Sequence, residues 1–334
     1  MMLNVKILGT PPEVNALWVI ASDGKTISSL LFDCGADTLK SLSHGEILAI
    51  DHLFLTHLHM DHVSGFDAFF RPNFQRKNRE NHIWGPTGTA AILQHRFQGY
   101  WWSHASELNA TWRVHDIDAT SIHTFRFEAR EAFAIMHDEG IAPNSGIIVT
   151  QAGVRVAAIP LEHHGLCLGY VVSENEKCNV DRNALTSLGL SPGPWLNQLK
   201  GETDDAIIVD GISYPALELR ARLLQIEPGD SVAYLTDFFA DETQRARIAP
   251  YLKGVNTLYA EAQYAREDHA LALKYHHSTV DQIATLALLA GVKHYVLLHL
   301  SRRYNRDDWK EMLKVAQDIF PSSTYISEWG ISDT

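Results

Sequence analysis

Thr56-His57-Leu58-His59-Met60-Asp61-His62 places three imidazoles and one carboxylate within six residues. The apolar run Leu53-Phe54-Leu55 precedes it and predicts a buried strand. Histidine and carboxylate side chains are common zinc ligands in proteins. The pattern therefore predicts a metal-binding loop at the carboxyl end of a strand, with a helix following it from about Val63.

Composition limits the classes of protein that need to be considered. The chain has 334 residues and is 46% hydrophobic, which favours one large domain with an insertion. Lys plus Arg number 28 and Asp plus Glu number 40, a net charge of −12. Because this charge repels polyanions, a nucleic-acid substrate would require a local basic patch.

Cysteine usage and the absence of apolar segments indicate the compartment. Cys34, Cys167 and Cys178 form no CxxC pair, which favours reduced thiols over a disulfide framework. The first residues show no secretion signal, and no apolar run approaches the length of a membrane span. We therefore expect a cytoplasmic protein that makes no membrane contact.

Further apolar runs also end in histidine or an acid. They lead into His163, Asp237 and His299. In α/β architectures the carboxyl ends of strands line the functional crevice, so these residues should converge with the first loop. The predicted metal ligands are His57, His59, Asp61, His62, His163, Asp237 and His299.

Seven ligands are too many for one tetrahedral zinc ion and suit two metals that share a carboxylate. Asp237 is the expected bridge, because a carboxylate can bind two cations and a neutral imidazole cannot. We expect two zinc ions per subunit, with manganese or iron as the other candidates. Asp33, at the end of the run Leu30–Phe32, either borders this site or forms a turn or helix cap, and the sequence leaves both interpretations open.

Two groups of basic residues are candidates for phosphate contacts. Arg302 and Arg303 follow His299 directly. The other group is either a solvated loop or a phosphate-contacting patch beside the metal site, and it consists of Arg71, Arg76, Lys77 and Arg79. Both interpretations of this second group remain open.

Residues 174–228 differ in character from the rest of the chain. The segment Leu188–Trp195 is interrupted by glycine and proline and cannot be one continuous helix or strand. The stretch carries 5 basic and 9 acidic residues, a balance of −4. It is predicted to be an inserted arm whose charge does not favour a polyanion.

The sequence resembles the metallo-β-lactamase superfamily and, within it, ribonuclease Z, the tRNA 3′-processing endonucleases. Its HxHxDH signature lies at His57–His62. Other matching segments follow in the family's order: Leu31–Gly35, Gly85–Gly88, His163 with Gly169-Tyr170, Gly189–Leu199, His277–Thr279 and Leu298–Tyr304. The resemblance implies an α+β fold, a four-layer αββα sandwich over residues 1–334 with an arm at 174–228, and a homodimer.

The resemblance also implies how the site residues are divided. The first metal would take His57, His59, His163 and Asp237. The second metal would take Asp61, His62, Asp237 and His299. The catalytic residues would be Asp61, His277 as the acid-base histidine and Glu261 as its orienting carboxylate. His164 and His276 are adjacent alternatives whose roles the sequence leaves open.

These observations predict a dinuclear zinc phosphodiesterase, an endoribonuclease that acts on tRNA 3′ trailers. One alternative is a hydrolase of small phosphodiesters, sulfates or esters without tRNA specificity. Another is a non-catalytic binding or sensing protein on the same fold. Two departures from the family bear on the choice: Leu8–Glu13 lacks the usual glycine-rich loop, and the arm has the wrong charge for binding phosphates.

Overall fold

A computed structural model of the chain describes residues 3–201 and 206–331. The chain divides into a main unit, Met1–Ser173 with Asp230–Thr334, and a second unit, Glu174–Gly229. Residues 202–205, which belong to the predicted arm, lie outside the described residues.

The strands are, in chain order, β1 Asn4–Leu8, β2 Ala16–Ser22, β3 Ile27–Phe32, β4 His52–Phe54, β5 Asn81–Pro86, β6 Thr111–Ile117, β7 Ser121–Glu128, β8 His137–Pro143, β9 Ile147–Gln151, β10 Val154–Glu162, β11 Leu166–Glu174, β12 Lys177–Val180, β13 Ala206–Val209, β14 Ile212–Pro215, β15 Leu224–Glu227, β16 Ser231–Leu235, β17 Thr257–Glu261, β18 His294–Leu298 and β19 Ser323–Thr324.

The α-helices are, in chain order, α1 His44–Ala49, α2 Met60–Val63, α3 Phe66–Asn73, α4 Thr89–Phe97, α5 Arg182–Ser187, α6 Trp195–Lys200, α7 Ala216–Leu223, α8 Glu242–Ile248, α9 His269–Lys274, α10 Val280–Ala290 and α11 Arg306–Ile319.

The first sheet of the main unit has eight strands in the order β1 to β8. Strands β1, β2 and β3 pair antiparallel, as alternating apolar residues around the Asp23-Gly24 turn predict. Strands β3 to β6 are parallel, so their carboxyl ends lie at one edge of the sheet. That edge carries the residues that follow Phe32 and Phe54.

The second sheet has seven strands in the order β19-β18-β17-β16-β11-β10-β9. Strands β16 to β19 are parallel. Strand β16 also pairs antiparallel with β11, with Tyr170 opposite Tyr234. The residues after β16 and β18 therefore lie at the same edge of this sheet.

Three buried apolar clusters define four layers in the main unit. One lies between the two sheets and includes Phe32, Phe54 and Tyr170. Another packs α3 and α4 onto the outer face of the first sheet, and the last packs α10 and α11 onto the second sheet. The predicted αββα sandwich is confirmed. Helix α10 begins with a capping box between Thr279 and Gln282, as the sequence indicates.

The second unit has its own small core. Its two strand pairs, β12 with β15 and β13 with β14, are antiparallel. Helices α5, α6 and α7 bury Leu185, Trp195, Leu199 and Leu219, together with Ile207 and Val209 from β13. Helix α5 ends at Ser187 and α6 begins at Trp195, so the stretch rich in glycine and proline separates two helices.

None of the described helices combines the length and the apolar character needed to cross a membrane.

Candidate metal centre

The first ligand loop is fixed by hydrogen bonds to the end of strand β3. The Asp33 carboxylate accepts hydrogen bonds from the Thr56 backbone N–H at 2.8 Å and from the Thr56 hydroxyl. Its Oδ2 atom lies 2.9 Å from Nδ1 of His62. Of the two interpretations of Asp33, the structure supports the one at the border of the site.

The remaining candidate ligands stand at strand ends, as their sequence positions predict. His163 follows β10, Asp237 follows β16 and His299 follows β18. Asp237 and His299 have φ angles of 52° and 50°, in the left-handed region that non-glycine residues rarely adopt. Such backbone strain clusters at functional sites, where the surrounding structure holds it in place.

The structure brings all seven predicted ligands together in two groups. The first group is His57, His59, His163 and Asp237, and the second is Asp61, His62, Asp237 and His299. Within each group the ligand atoms lie within 4.8 Å of one another. This is the division that the family resemblance implies.

Asp237 occupies the position expected of a bridging ligand. Its Oδ2 atom lies 3.5 Å from Nε2 of His57 and 3.3 Å from Nε2 of His62. Its Oδ1 atom lies 3.3 Å from Nε2 of His299. One carboxylate therefore faces histidines of both groups. His59 and Asp61 are exposed, so the centre is open to solvent on one side.

Unpaired ring nitrogens show that these residues suit a metal. The Nε2 atoms of His57 and His62 are buried and have no hydrogen-bond partner among the described residues. Nδ1 of His62 lies beside Asp33, and Nδ1 of His163 lies 2.7 Å from the His276 carbonyl. Because a neutral imidazole has one donor and one acceptor nitrogen, donation through Nδ1 leaves the Nε2 lone pair free for a cation.

The electrostatics of the centre also favour a cation. Burial lowers the pKa of His57 well below its ordinary value and that of His163 to about 4, so both rings are neutral near pH 7. Burial opposes a charged His62, but the carboxylates of Asp237 and Asp33 raise its pKa well above the ordinary value. The two acids thus favour positive charge at this position, which a metal ion can supply.

His277 lies beside the second group and is held by Glu261. Nδ1 of His277 is 2.9 Å from Oε2 of Glu261, while Oε1 of Glu261 accepts the Phe238 backbone N–H at 2.7 Å. Burial disfavours a charged ring, yet the Glu261 carboxylate raises the pKa of His277 to about 9. The ring is therefore protonated near neutral pH and has a fixed orientation.

His164 and His276, which neighbour His163 and His277 in the sequence, lie outside the metal-ligand groups of the described residues. His276 offers its backbone carbonyl to His163, and its own ring packs against the ring of His164, with centroids 4.5 Å apart. The structure thus connects the first metal group to the backbone segment that carries His277.

Of the two interpretations of Arg71, Arg76, Lys77 and Arg79, the contacts of Arg76 and Arg79 favour a position away from the metal centre. The buried Arg76 guanidinium donates to the carbonyls of Leu48, Ile50 and Glu80 at 3.0, 2.7 and 2.6 Å. Arg79 pairs with Asp51 at 2.6 Å. These partners precede β4 and β5, at the ends opposite the metal ligands.

Arg71 and Lys77 lie in the same region, because α3 leads away from the loop and ends at Asn73, whose side chain contacts the Ile47 carbonyl. In contrast, Arg302 and Arg303 remain close to His299 along the chain. Arg302 is largely exposed and forms an ion pair with Glu13.

Sequence reasoning did not predict the residues that support the ligands. The Tyr170 hydroxyl donates to the Leu55 carbonyl at 2.7 Å, next to the first loop. The Tyr234 hydroxyl lies 3.3 Å from Oδ2 of Asp33, and the Asn15 side chain accepts the His299 backbone N–H at 3.1 Å. Each of these residues lies far from its partner along the chain, so no local pattern indicates its role.

The amino-acid sequence is similar to one family model and to several known proteins. A family model described as "Anti-Pycsar protein Apyc1" matches residues 13–157, a part that ends before His163. The chain is 55% identical to Ribonuclease Z of Deinococcus radiodurans, over 98% of this chain and 99% of that protein. It is 28% identical to Ribonuclease Z of Bacillus subtilis, over 88% of this chain and 84% of that protein.

Two solved structures share the fold at low sequence identity. The metallo-β-lactamase fold protein YhfI of Bacillus subtilis superposes with a TM-score of 0.55 at 12% identity, covering 98% of this chain and 97% of that one. The short form of human tRNase Z superposes with a TM-score of 0.52 at 17% identity, covering 96% and 95%. At these identities the likeness concerns the fold alone.

The sandwich has the metallo-β-lactamase fold, and its clustered histidines and aspartates form a candidate metal-binding site. Given 55% identity over nearly its whole length, the chain belongs to the ribonuclease Z family, whose members are hydrolytic endoribonucleases. The predicted family resemblance and enzyme class are confirmed.

Proposed function

We propose that this chain removes 3′ trailers from precursor tRNA by hydrolysing a phosphodiester bond at a pair of zinc ions. The observation that carries the proposal is a pair of four-residue ligand groups joined at Asp237. They occur in a chain that is 55% identical to a ribonuclease Z over nearly its full length. That family membership supports tRNA as the substrate.

The two ligand groups would each hold one zinc ion, with Asp237 shared between them. Two such ions would polarise phosphoryl oxygens and lower the pKa of a water molecule to about 7, the contributions that this hydrolysis needs. Asp61 is the exposed member of the second group, on the side where substrate would enter. Manganese or iron would suit the same imidazole and carboxylate donors.

His277 would protonate the leaving ribose 3′ oxygen. An alkoxide is a poor leaving group, so a proton donor near that oxygen should accelerate the reaction by about 10²- to 10⁴-fold. Glu261 fixes the ring through Nδ1, which leaves Nε2–H to face the substrate. The same carboxylate accepts the backbone N–H of Phe238, the residue after Asp237. Glu261 therefore fixes the position of His277 relative to Asp237.

Arg302 and Arg303 are proposed to contact substrate phosphates. They follow His299 within four residues, and both side chains are exposed. Arg302 pairs with Glu13, which is also exposed. A substrate phosphate would displace the Glu13 carboxylate and take its place as the anion paired with Arg302. Such exposed charge pairs are weak in water, so this exchange would cost little.

We further propose a homodimer in the cytoplasm, with the second unit, Glu174–Gly229, as the arm. Three unpaired cysteines support a reducing compartment. The arm exposes several aliphatic side chains, which favour contact with another macromolecule over water: Ile208, Ile212, Leu217 and Ile226.

One observation favours a second candidate function, hydrolysis of small phosphodiesters. The arm residues 174–228 carry a balance of −4 and the whole chain carries −12. Negative charge opposes the phosphate contacts on which tRNA affinity depends. A small diester would need only the metal centre and His277.

Gel cleavage of a precursor tRNA that carries a 3′ trailer distinguishes the two functions. The same enzyme preparation is assayed on bis-p-nitrophenyl phosphate, and a precursor with a scrambled acceptor stem serves as the control. The proposal predicts a single cut at the trailer junction and little cleavage of the control. Rapid turnover of the small diester without trailer removal would overturn it in favour of the second candidate.

A further inference from the structure

Asn15 connects the first loop of the chain to its last metal ligand. It lies directly before β2 and is 2% exposed. Its Oδ1 atom accepts the backbone N–H of His299 at 3.1 Å, across 284 residues of sequence. Its own carbonyl accepts the Tyr234 hydroxyl at 2.9 Å.

The contact holds a strained part of the backbone. His299 has a φ of 50°, and the peptide that precedes it is held on both sides. The Leu298 carbonyl of that peptide accepts the Ala262 N–H at 2.7 Å, while its N–H donates to Asn15. Because these two bonds fix the peptide plane, they also set the direction in which the His299 ring leaves the strand.

The same network reaches the other histidine of the second metal group. The Tyr234 hydroxyl lies 2.9 Å from the Asn15 carbonyl and 3.3 Å from Oδ2 of Asp33. Oδ2 of Asp33 in turn lies 2.9 Å from Nδ1 of His62. His299 and His62 are thus joined through three buried residues that are not themselves ligands, Asn15, Tyr234 and Asp33.

The orientation of the Asn15 amide is dictated by His299. Its Nδ2 atom is buried and has no hydrogen-bond partner among the described residues. Turning the amide over would place this NH₂ group against the His299 N–H, two donors facing each other. A buried unpaired donor lowers the stability of the fold. The amide nevertheless keeps this orientation, because it places Oδ1 as the acceptor for the His299 N–H.

We infer that Asn15 is a positioning residue for the second metal group, Asp61, His62, Asp237 and His299. It acts on the backbone of His299 and, through Tyr234 and Asp33, on the ring of His62. This inference rests on the proposed two-metal site and adds to it a residue from outside both ligand groups. Partners of this kind contribute about 10- to 100-fold to metal affinity.

The test is a zinc titration of the metal-free protein against a chromogenic chelator, which resolves the affinity of each ion. Asn15→Ala removes the acceptor, and Asn15→Asp keeps it. Asn73→Ala is the matched control, since Asn73 is also a buried asparagine but contacts the carbonyls of Ile47 and Phe69. Thermal unfolding of each metal-free variant measures the change in stability separately.

Asn15→Ala should weaken the second ion by about 10- to 100-fold and change the first by less than about threefold. Asn15→Asp should keep both affinities within about threefold, and Asn73→Ala should lower stability alone. If Asn15→Ala does not fold, Tyr234→Phe replaces it and should weaken the second ion in the same direction. Equal weakening of both ions, or no weakening, would overturn the inference.

The wild-type titration separates this inference from the proposed function. Binding of fewer than two ions by the wild-type chain would refute the two-metal site, and the inference with it. Binding of two ions with unchanged affinities in Asn15→Ala and Tyr234→Phe would refute the role of Asn15 alone.

Discussion

Two sets of histidines in this molecule differ in where they stand relative to the strands. The strand histidines, His52, His82 and His115, lie within β4, β5 and β6. The strand-end histidines follow strands directly or lie in the loop and the short helix α2 after β4, and they are His57, His59, His62, His163 and His299. Both sets contain buried rings, but only the second forms metal-ligand groups among the described residues.

The strand histidines satisfy one another and their neighbours. Nδ1 of His82 lies 3.1 Å from Nε2 of His115, and the Trp84 indole donates to Nδ1 of His52 at 3.1 Å. Nε2 of His52 lies 3.2 Å from the Gln151 amide oxygen. The strand histidines thus meet partners on adjacent strands or, for His52, on the facing sheet, whereas His57 and His62 keep a buried Nε2 without a hydrogen-bond partner among the described residues. The number of histidines is therefore less informative than their position relative to a strand end.

Removing the shared ligand should have the largest effect. Asp237→Ala eliminates the carboxylate that faces histidines of both groups, so trailer cleavage should fall by more than about 10³-fold, beyond the 10- to 100-fold effect of supporting residues. Metal analysis of the same variant should show the loss of bound zinc. His52→Gln is the control among the strand histidines. An equal loss of activity in this variant would show that the strand histidines are as important for cleavage as the strand-end residues.

Removing the proton donor should have the next largest effect. His277→Ala should slow trailer cleavage by about 10²- to 10⁴-fold, because the leaving oxygen loses its acid. The metal content should stay unchanged, since His277 lies outside both four-residue groups. Zinc analysis and steady-state kinetics on one preparation provide the measurement, and parallel loss of zinc and activity would exclude the acid role.

Substitution of Arg76 should affect stability, because this residue binds backbone carbonyls before β4 and β5, at the strand ends opposite the metal ligands. Arg76→Met should lower the free energy of unfolding by about 2 to 4 kcal/mol, because the buried Ile50 carbonyl and the partly buried carbonyls of Leu48 and Glu80 lose their donor. Lys77→Met is the control, and since this side chain is exposed it should change stability by less than about 0.5 kcal/mol. Urea unfolding measures both. A tenfold fall in trailer cleavage by folded Lys77→Met would instead place substrate at this end.

Acid should destabilise the fold through the strand histidines. Burial lowers the pKa of His82 to about 4 and that of His115 to about 2, whereas unfolded histidines titrate near 6.5. The unfolded chain therefore binds more protons as the pH falls below that value. The free energy of unfolding should drop by about 1 to 2 kcal/mol per histidine between pH 7.5 and 5.

Urea unfolding across this pH range measures the effect, and His82→Gln provides the comparison. The variant should show a shallower dependence of stability on pH, because one titrating group is gone. An equal slope in the variant and the wild type would show that His82 does not titrate on unfolding.

Much of the centre could be predicted because its signals are local. The ligands between His57 and His62 lie in one short stretch of sequence, and His163, Asp237 and His299 each follow an apolar run that predicts a buried strand. Parallel strands then bring their carboxyl ends to one edge, so convergence follows from the topology. The four-layer sandwich is predicted from the family resemblance.

The location of the basic residues and the role of Asn15 could not be predicted, because they depend on contacts between residues that are distant in the sequence. Arg76 and Arg79 look like a phosphate patch in the sequence, but the carbonyls and the carboxylate that bind them belong to the segment before β4. Asn15 could not be predicted for the same reason, since its partner is His299. Charge and residue type are visible in the sequence, whereas the end of a strand at which a side chain lies depends on the fold.

If the strand-end residues form a two-metal centre, the purified chain should retain zinc. Metal analysis after loading with excess zinc and removal of unbound ions measures this. We expect about two zinc ions per chain, since two ligand groups share Asp237. Less than one equivalent of zinc in folded protein would contradict a two-metal centre.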